Sequence, residues 1–344
     1  MFFFHPFSDG QIKQYHDAKM LYTSLLNAER RYTLQYRYKM VWQKGPDGVE
    51  RLAKQPLKGV AGKREYLGRR SAETEKIQRD FQEAKERAKE HLDSLKQRMD
   101  RIKRLNKAEG IGRAPKELVA IFRKINELGL DDKLVVIGTN SLYAYEAAAG
   151  VAIEQEHLAT VDIDILNRRD KGVSFVFRQL MLSGKAIEIL QSIDRSFHQI
   201  DNTPYRFENK DGVWVELINP VSHSVKAQSF KDNLFSDVIS LPMPGMQWLE
   251  NSRLFTETII GIDGSCANVT TINPVEFAIY KNWLGKQKDR DVRKGRRDIS
   301  QSRLVTQLIG EYMPQIDIHE EVRNIRHIKT EAVAAYRREI LGED

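Results

Sequence analysis

The stretch from Leu134 to Leu166 constrains this chain more than any other. It opens with the apolar, β-branched run Leu134-Val-Val-Ile and breaks off in Gly138-Thr-Asn-Ser141. Such a break predicts a strand, a tight turn and the N-terminus of a helix. A helix N-terminus presents free backbone N–H groups and the positive end of the helix dipole, which suits phosphate. A second β-branched run follows, Thr160-Val-Asp162-Ile-Asp164-Ile-Leu166. Strand alternation puts Asp162 and Asp164 on one face and Val161, Ile163 and Ile165 on the other. Two neighbouring carboxylates repel each other unless a cation lies between them. Mg²⁺ binds through one or two carboxylates together with substrate phosphates. A phosphate-accepting turn beside a strand-borne acid pair is therefore the layout that metal-assisted nucleotidyl or phosphoryl transfer needs.

The rest of the sequence sets the surroundings. At 344 residues, with 41% hydrophobic and 30% charged residues, the chain can build two or three domains around a sizeable core. Its formal net charge of +7 leans toward an anionic partner, although a surplus spread over this length is not a binding site. Cys266 is the only cysteine, which excludes intramolecular disulfides and cysteine-rich zinc sites and points to a reducing cytoplasm. Met1-Phe-Phe-Phe-His-Pro is too short, and lacks the basic flank, for a signal peptide. No run reaches the length of a membrane span.

Helical spacing of Ile12, Tyr15, Leu21, Leu25, Ala28 and Tyr32 predicts a helix from Asp9 to about Met40. Two short strands are expected around Gly45-Pro-Asp-Gly48, and Tyr66-Leu-Gly-Arg-Arg-Ser71 could close a small sheet. Lys58, Lys63, Arg64, Arg69 and Arg70, with Tyr66 among them, could form a nucleic-acid-binding ribbon. A basic, solvated hairpin is the preferred reading. Ser71 caps a long helix whose stripe runs Ile77, Phe81, Ala84, Ala88, Leu92, Leu95, Met99 and Ile102. That helix, residues 71–105, could dimerise, but its irregular heptads favour packing within the chain. Gly110-Ile-Gly112 reads as a linker, and Pro115 opens a helix to about Leu128.

Beyond the acid pair, helices are expected over 172–182 and 185–193, then strands at 196–200, 205–209 and 213–218 with a hairpin turn at Asn209-Lys-Asp-Gly212. Glu216 is a lone acid in the apolar strand Val213-Trp-Val-Glu-Leu-Ile218, either an exposed edge charge or, the preferred reading, a site residue. Val225 to Phe235 is a charged connection and Ile239 to Gly245 a Pro-rich loop. A hairpin folds about Asp263-Gly-Ser, and Asn273-Pro274 starts a helix with Phe277, Ile279, Tyr280, Trp283 and Leu284 on its apolar face. Lys281 interrupts that face; it either snorkels or meets an anion. Lys286 to Asp298 is the densest charge run, and it is either solvated or laid over a phosphate-bearing ligand. Helices at 299–312 and 320–341 close the chain.

The opening stretch resembles the nucleotidyltransferase superfamily of polymerase-β-like fold. Gly138-Thr-Asn-Ser-Leu-Tyr-Ala-Tyr-Glu-Ala-Ala-Ala-Gly150 is similar to a group of prokaryotic nucleotidyltransferase-fold proteins of largely unassigned substrate. The likeness extends to Tyr66 through Glu75, Leu241 through Leu249, and Pro274 through Gln301. It implies an α+β fold: a mixed sheet carrying three acids, with helices against it. The expected domains are a helical domain with a small hairpin over 1–128, the nucleotidyltransferase core over 129–245, and a C-terminal hairpin and helical domain over 246–344. The resemblance further implies transfer of an NMP from an NTP with Mg²⁺ or Mn²⁺. Asp162, Asp164 and Glu216 would be catalytic metal ligands. Gly138, Thr139, Asn140, Ser141 and Lys281 would bind the nucleotide. The family more often carries Asp where Glu216 stands, and Glu reaches one methylene further. The gap from Gly138 to Asp162 exceeds that of minimal members, so a longer connecting loop is expected. The acceptor could be RNA such as tRNA, a protein hydroxyl or a small molecule, and the role that of a toxin or defence effector. The rival expectation is a catalytically silent module that binds nucleic acid or a protein partner.

Overall fold

The computed structural model describes residues 1–58, 60, 62–160, 162–168, 186–201, 203–218 and 244–343. The helix expected over 172–182, the charged connection from Val225 and most of the Pro-rich loop lie outside these residues. The fold is α+β, with helices around several sheets.

The chain opens with β1 (Phe4–Pro6) and the 27-residue α1 (Asp9–Gln35), whose start is set by a capping box between Ser8 and Gln11. The helix stops short of Met40 because Tyr38 already belongs to a strand. β2 (Tyr38–Lys44), β3 (Glu50–Pro56) and β4 (Glu65–Arg69) form an antiparallel sheet of their own. From there α2 (Ala72–Ala108) returns along α1, again from a capping box, at Ser71 and Thr74. The C-terminal part of the α2 stripe is used within the chain, where Leu92, Leu95 and Met99 pack with Tyr15, Leu21, Tyr22 and Leu25 of α1, whereas Ile77 is 38% exposed. The presumed linker is also packed. A Cβ at Gly112 would stand 2.2 Å from the carbonyl oxygen of Gly261, so the two backbones touch there.

α3 (Lys116–Leu128) leads into β5 (Leu134–Ile137), the single-turn 3₁₀ segment Gly138–Ser141, and α4 (Leu142–Ala149). The long connection before Asp162 has structure of its own. β6 (Val151–Ile153) pairs with the N-terminal β1, and α5 (Gln155–Leu158) follows. β7 (Asp162–Asn167), α6 (Ala186–Ile193), β8 (His198–Ile200), β9 (Thr203–Glu208) and β10 (Trp214–Ile218) complete the core. Its mixed five-stranded sheet runs β5-β7-β10-β9-β8, with β7 and β10 parallel and the other pairs antiparallel.

The C-terminal part comprises α7 (Met246–Asn251), the hairpin β11 (Leu254–Ile260) and β12 (Cys266–Ile272), then α8 (Pro274–Leu284), α9 (Val292–Tyr312), α10 (Ile318–Asn324) and α11 (Thr330–Tyr336). These elements share one apolar core with α3, α4 and the main sheet. Cys266 is packing: its thiol is 1% exposed, and burial pushes its pKa up to about 12. Among the described residues, no helix is long and apolar enough to cross a membrane.

Candidate active site

β5 and β7 run antiparallel with Ile137 opposite Asp164, so the Gly138 turn begins where the acid pair lies. Gly138 has φ +72, and a Cβ there would stand 2.6 Å from Oδ2 of Asp164. Only glycine lets the turn approach the carboxylate this closely. Gly138→Ala therefore both strains the backbone and displaces Asp164. If millimolar Mn²⁺ raises the Tm of the parent protein, this variant should lose that rise, and a full rise in the variant would refute the placement.

On the other side of β7, the parallel register sets Glu216 against Asp164 and Trp214 against Asp162. Period-two alternation then places Asp162, Asp164 and Glu216 on one sheet face. The electrostatics agree with that placement. Burial first, and then the charges of Glu216 and Asp162, raise the Asp164 carboxyl to about 7. Oδ1 of Asp162 is buried without a hydrogen-bond partner. Glu216, 8% exposed, is held by the Arg206 guanidinium on β9, with Nε donating to Oε1 at 2.7 Å. Arg206 itself lies over the Trp214 ring, 4.6 Å from its centroid.

The polar turn is used differently from a helix cap. Asn140 Nδ2 donates to the Asp162 backbone oxygen at 2.6 Å, which ties the turn to the acid strand. Ser141 is wholly buried and faces the core, where its hydroxyl accepts from Thr271 at 2.8 Å. Thr139 accepts from Gln301 Nε2 of α9 at 3.1 Å. Ser141 stands at the N-cap position of α4, but its side chain makes no capping hydrogen bond. The turn can offer backbone N–H groups, whereas the Ser141 side chain points away.

Lys281 lies 6% exposed on α8, its ammonium 2.6 Å from Oδ1 of Asp298 and 5.6 Å from the Phe277 ring centroid. Burial lowers its pKa, and Asp298 opposes that shift. Asp298 also accepts from Arg290 Nε at 2.8 Å. The pair forms because α8 and α9 meet at glycines: a Cβ on Gly285 would stand 2.7 Å from the oxygen of Gly295. The anion that a buried Lys281 needs is thus supplied by the protein. Sequence reasoning put Asp298 in a charge run that could cover a ligand but missed it as the partner of Lys281, and it missed Gln301 beside Thr139, because both contacts depend on that crossing. Lys294 and Arg297 start the same helix. Lys294 stabilises the ionised Asp164, and Arg297 donates to the Ala159 oxygen just before β7.

Another set of donors sits nearby. Glu154, Glu156 and His157, on and before α5, bring their donor atoms within 4.8 Å of one another. No other trio of acids, histidines or cysteines among the described residues gathers as closely. Asp162, Asp164 and Glu216 share a face and a register without that spacing.

A search of curated proteins and of solved structures finds no match to the chain. A family model described as Nucleotidyltransferase matches residues 116–326, more than half of the chain. That span runs from α3 through the Gly138 turn, the acid strand, Glu216 and the Lys281–Asp298 crossing, and the chain belongs to this nucleotidyltransferase family.

Proposed function

We propose that the protein moves an NMP from an NTP to an acceptor hydroxyl, releasing pyrophosphate, with Mg²⁺ or Mn²⁺ as cofactor. The observation that carries this reading is the register of Asp162, Asp164 and Glu216 on neighbouring parallel strands beside the Gly138 turn. The residues fit a hard divalent cation. They offer oxygen donors only, one of them buried and unpartnered, and the crowded carboxylates raise the pKa of Asp164. Asp162, Asp164 and Glu216 would hold the ion or ions, which when bound supply charge stabilisation to the attacking and leaving oxygens. The backbone of Gly138 to Ser141 receives the β- and γ-phosphates, with Lys294 and Arg297 at the mouth to balance their charge. Lys281 offsets Asp164 from within the fold. Its direct contact with phosphate would require Asp298 to release it.

Arg206 occupies Oε1 of Glu216, which leaves Oε2 to face an ion. The Arg206–Glu216 ion pair favours the second reading, a catalytically silent module in which arginine has taken the place of the cation. One experiment separates the two. The protein is incubated with each labelled NTP, Mn²⁺, total RNA and lysate protein, beside an Asp162→Ala control. Label transferred by the parent and absent from the control is the expected result. No transfer from any NTP would overturn the transferase reading.

A further inference from the structure

The sheet at the far end of the α1–α2 pair holds the whole charge surplus of the chain. Residues 37–70 contain ten Lys and Arg against three Asp and Glu, a surplus of seven. The full chain has 55 against 48, the same seven, so everything outside this sheet sums to zero. Charge collected this way is not the evenly solvated surface that the net figure alone would imply.

The sheet stands off from the body. Lys96 of α2 reaches Glu29 of α1 at 3.8 Å, so the part of α2 before Lys96 extends about 36 Å from that level at 1.5 Å per residue. Among the described residues, every hydrogen bond and ion pair of β2, β3 and β4 stays within this sheet, its turns, α1 and α2.

Its two faces differ. The row Trp42–Leu52–Gly68 packs on α2: Trp42 Nε1 donates to Gln78 at 2.7 Å, and a Cβ on Gly68 would stand 3.2 Å from Thr74. The opposite face carries Gln43–Arg51–Arg69 in one row and Val41–Ala53–Tyr66 in the next. Simple alternation would put Tyr66 and Arg69 on opposite faces. A bulge between Leu52 and Ala53 shifts the register by one and brings both to the outer face. Arg51 and Arg69 stand directly opposite each other, an arrangement that destabilises a sheet unless an anion bridges it. Asp47 pairs with Arg51, whereas Lys39, Lys58, Lys63 and Arg69 have no carboxylate partner among the described residues. Gln43 Oε1 accepts from both Arg64 (2.8 Å) and Tyr66 (3.1 Å), so a cation and a 57% exposed aromatic ring are held side by side.

We infer that this outer face binds the backbone of single-stranded or loop RNA, with Tyr66 stacking on an unpaired base. Clustered cations fit a phosphate backbone, and an exposed ring beside them fits a base that is not already stacked in a duplex. Only in calling that RNA the acceptor does the inference rest on the transferase reading.

The test is fluorescence anisotropy of the full-length protein with an RNA stem-loop, without NTP or divalent ion, across a salt series. DNA duplex and polyglutamate serve as competitors. Replacing Lys39, Lys63, Arg64 and Arg69 together by Gln should flatten the slope of log K against log salt by about three and weaken binding at least about tenfold at 0.1 M salt. Tyr66→Leu should weaken it on the order of tenfold with the slope unchanged. Unaltered far-UV circular dichroism and Tm establish that the variants fold. An unchanged slope in the fourfold variant, or competition by duplex DNA or polyglutamate equal to that by RNA, would overturn the inference. If RNA binds as described while no NTP label is transferred to any acceptor, the transferase reading fails and the RNA surface stands.

Discussion

Asp164→Asn is expected to stabilise the protein at pH 8 while abolishing transfer. In the fold, burial and the neighbouring Glu216 and Asp162 raise the Asp164 carboxyl from 3.8 to about 7. Between those two values the folded chain binds more protons than the unfolded one, so stability falls as pH rises through this window and stays low above it. The shift sets a ceiling of roughly 4 kcal/mol at about 1.4 kcal/mol per pKa unit. Part of it is lost because an amide is also costly to bury, which leaves a gain of about 1–3 kcal/mol. Thermal unfolding in chelator should therefore show Tm of the variant above that of the parent by several °C at pH 8. The gap should close toward pH 4, where the parent carboxyl is itself neutral. Transfer should fall at least about 10³-fold, the equivalent of roughly 4 kcal/mol of lost charge stabilisation. A variant less stable than the parent at pH 8 would mean that Asp164 is not held against its neighbours' charge.

The second large effect concerns the crossing of α8 and α9. Asp298→Ala removes the only carboxylate described against both Lys281 and Arg290 and leaves the buried ammonium without its direct partner. Breaking a buried pair from one side costs about 3–5 kcal/mol. Lys281→Met is milder, because Asp298 keeps Arg290 at 2.7 Å and the methionine fills the same apolar channel beside Phe277. Chemical denaturation should rank the parent first, Lys281→Met next and Asp298→Ala last. Equal losses in the two variants would show that Arg290 does not hold Asp298. Titrating NTP into Lys281→Met decides the nucleotide role at the same time. Affinity equal to the parent's would confine Lys281 to the fold, and a loss with metal binding intact would place it at the triphosphate.

Much of this protein was readable from local patterns. The β-branched run ending at Gly138, the alternation that puts Asp162 and Asp164 together, the caps at Ser71 and Asn273 and the hairpin at Asp263 all depend on residues a few positions apart. Short-range sterics and hydrogen bonding decide such features, and they are found where the sequence places them. Strand ends were less certain. α1 ends at Gln35, and by Tyr38 the chain is already paired in β2 opposite Pro56.

What only the tertiary structure decided concerns partners far apart in the chain. Glu216 lies beside Asp164 because β10 joins β7 in parallel, and it meets Arg206 because the β9–β10 hairpin sets those two residues opposite each other. Lys281 finds Asp298 because two glycines let their helices touch. Ser141 faces the core because Thr271 of a distant hairpin accepts that packing. Tyr66 and Arg69 reach one face only through a bulge that alternation cannot foresee. Residue spacing sets which groups a strand or helix presents on one side. Which charge answers which is set by the packing of whole elements, where burial makes an unpaired ion too costly to leave alone.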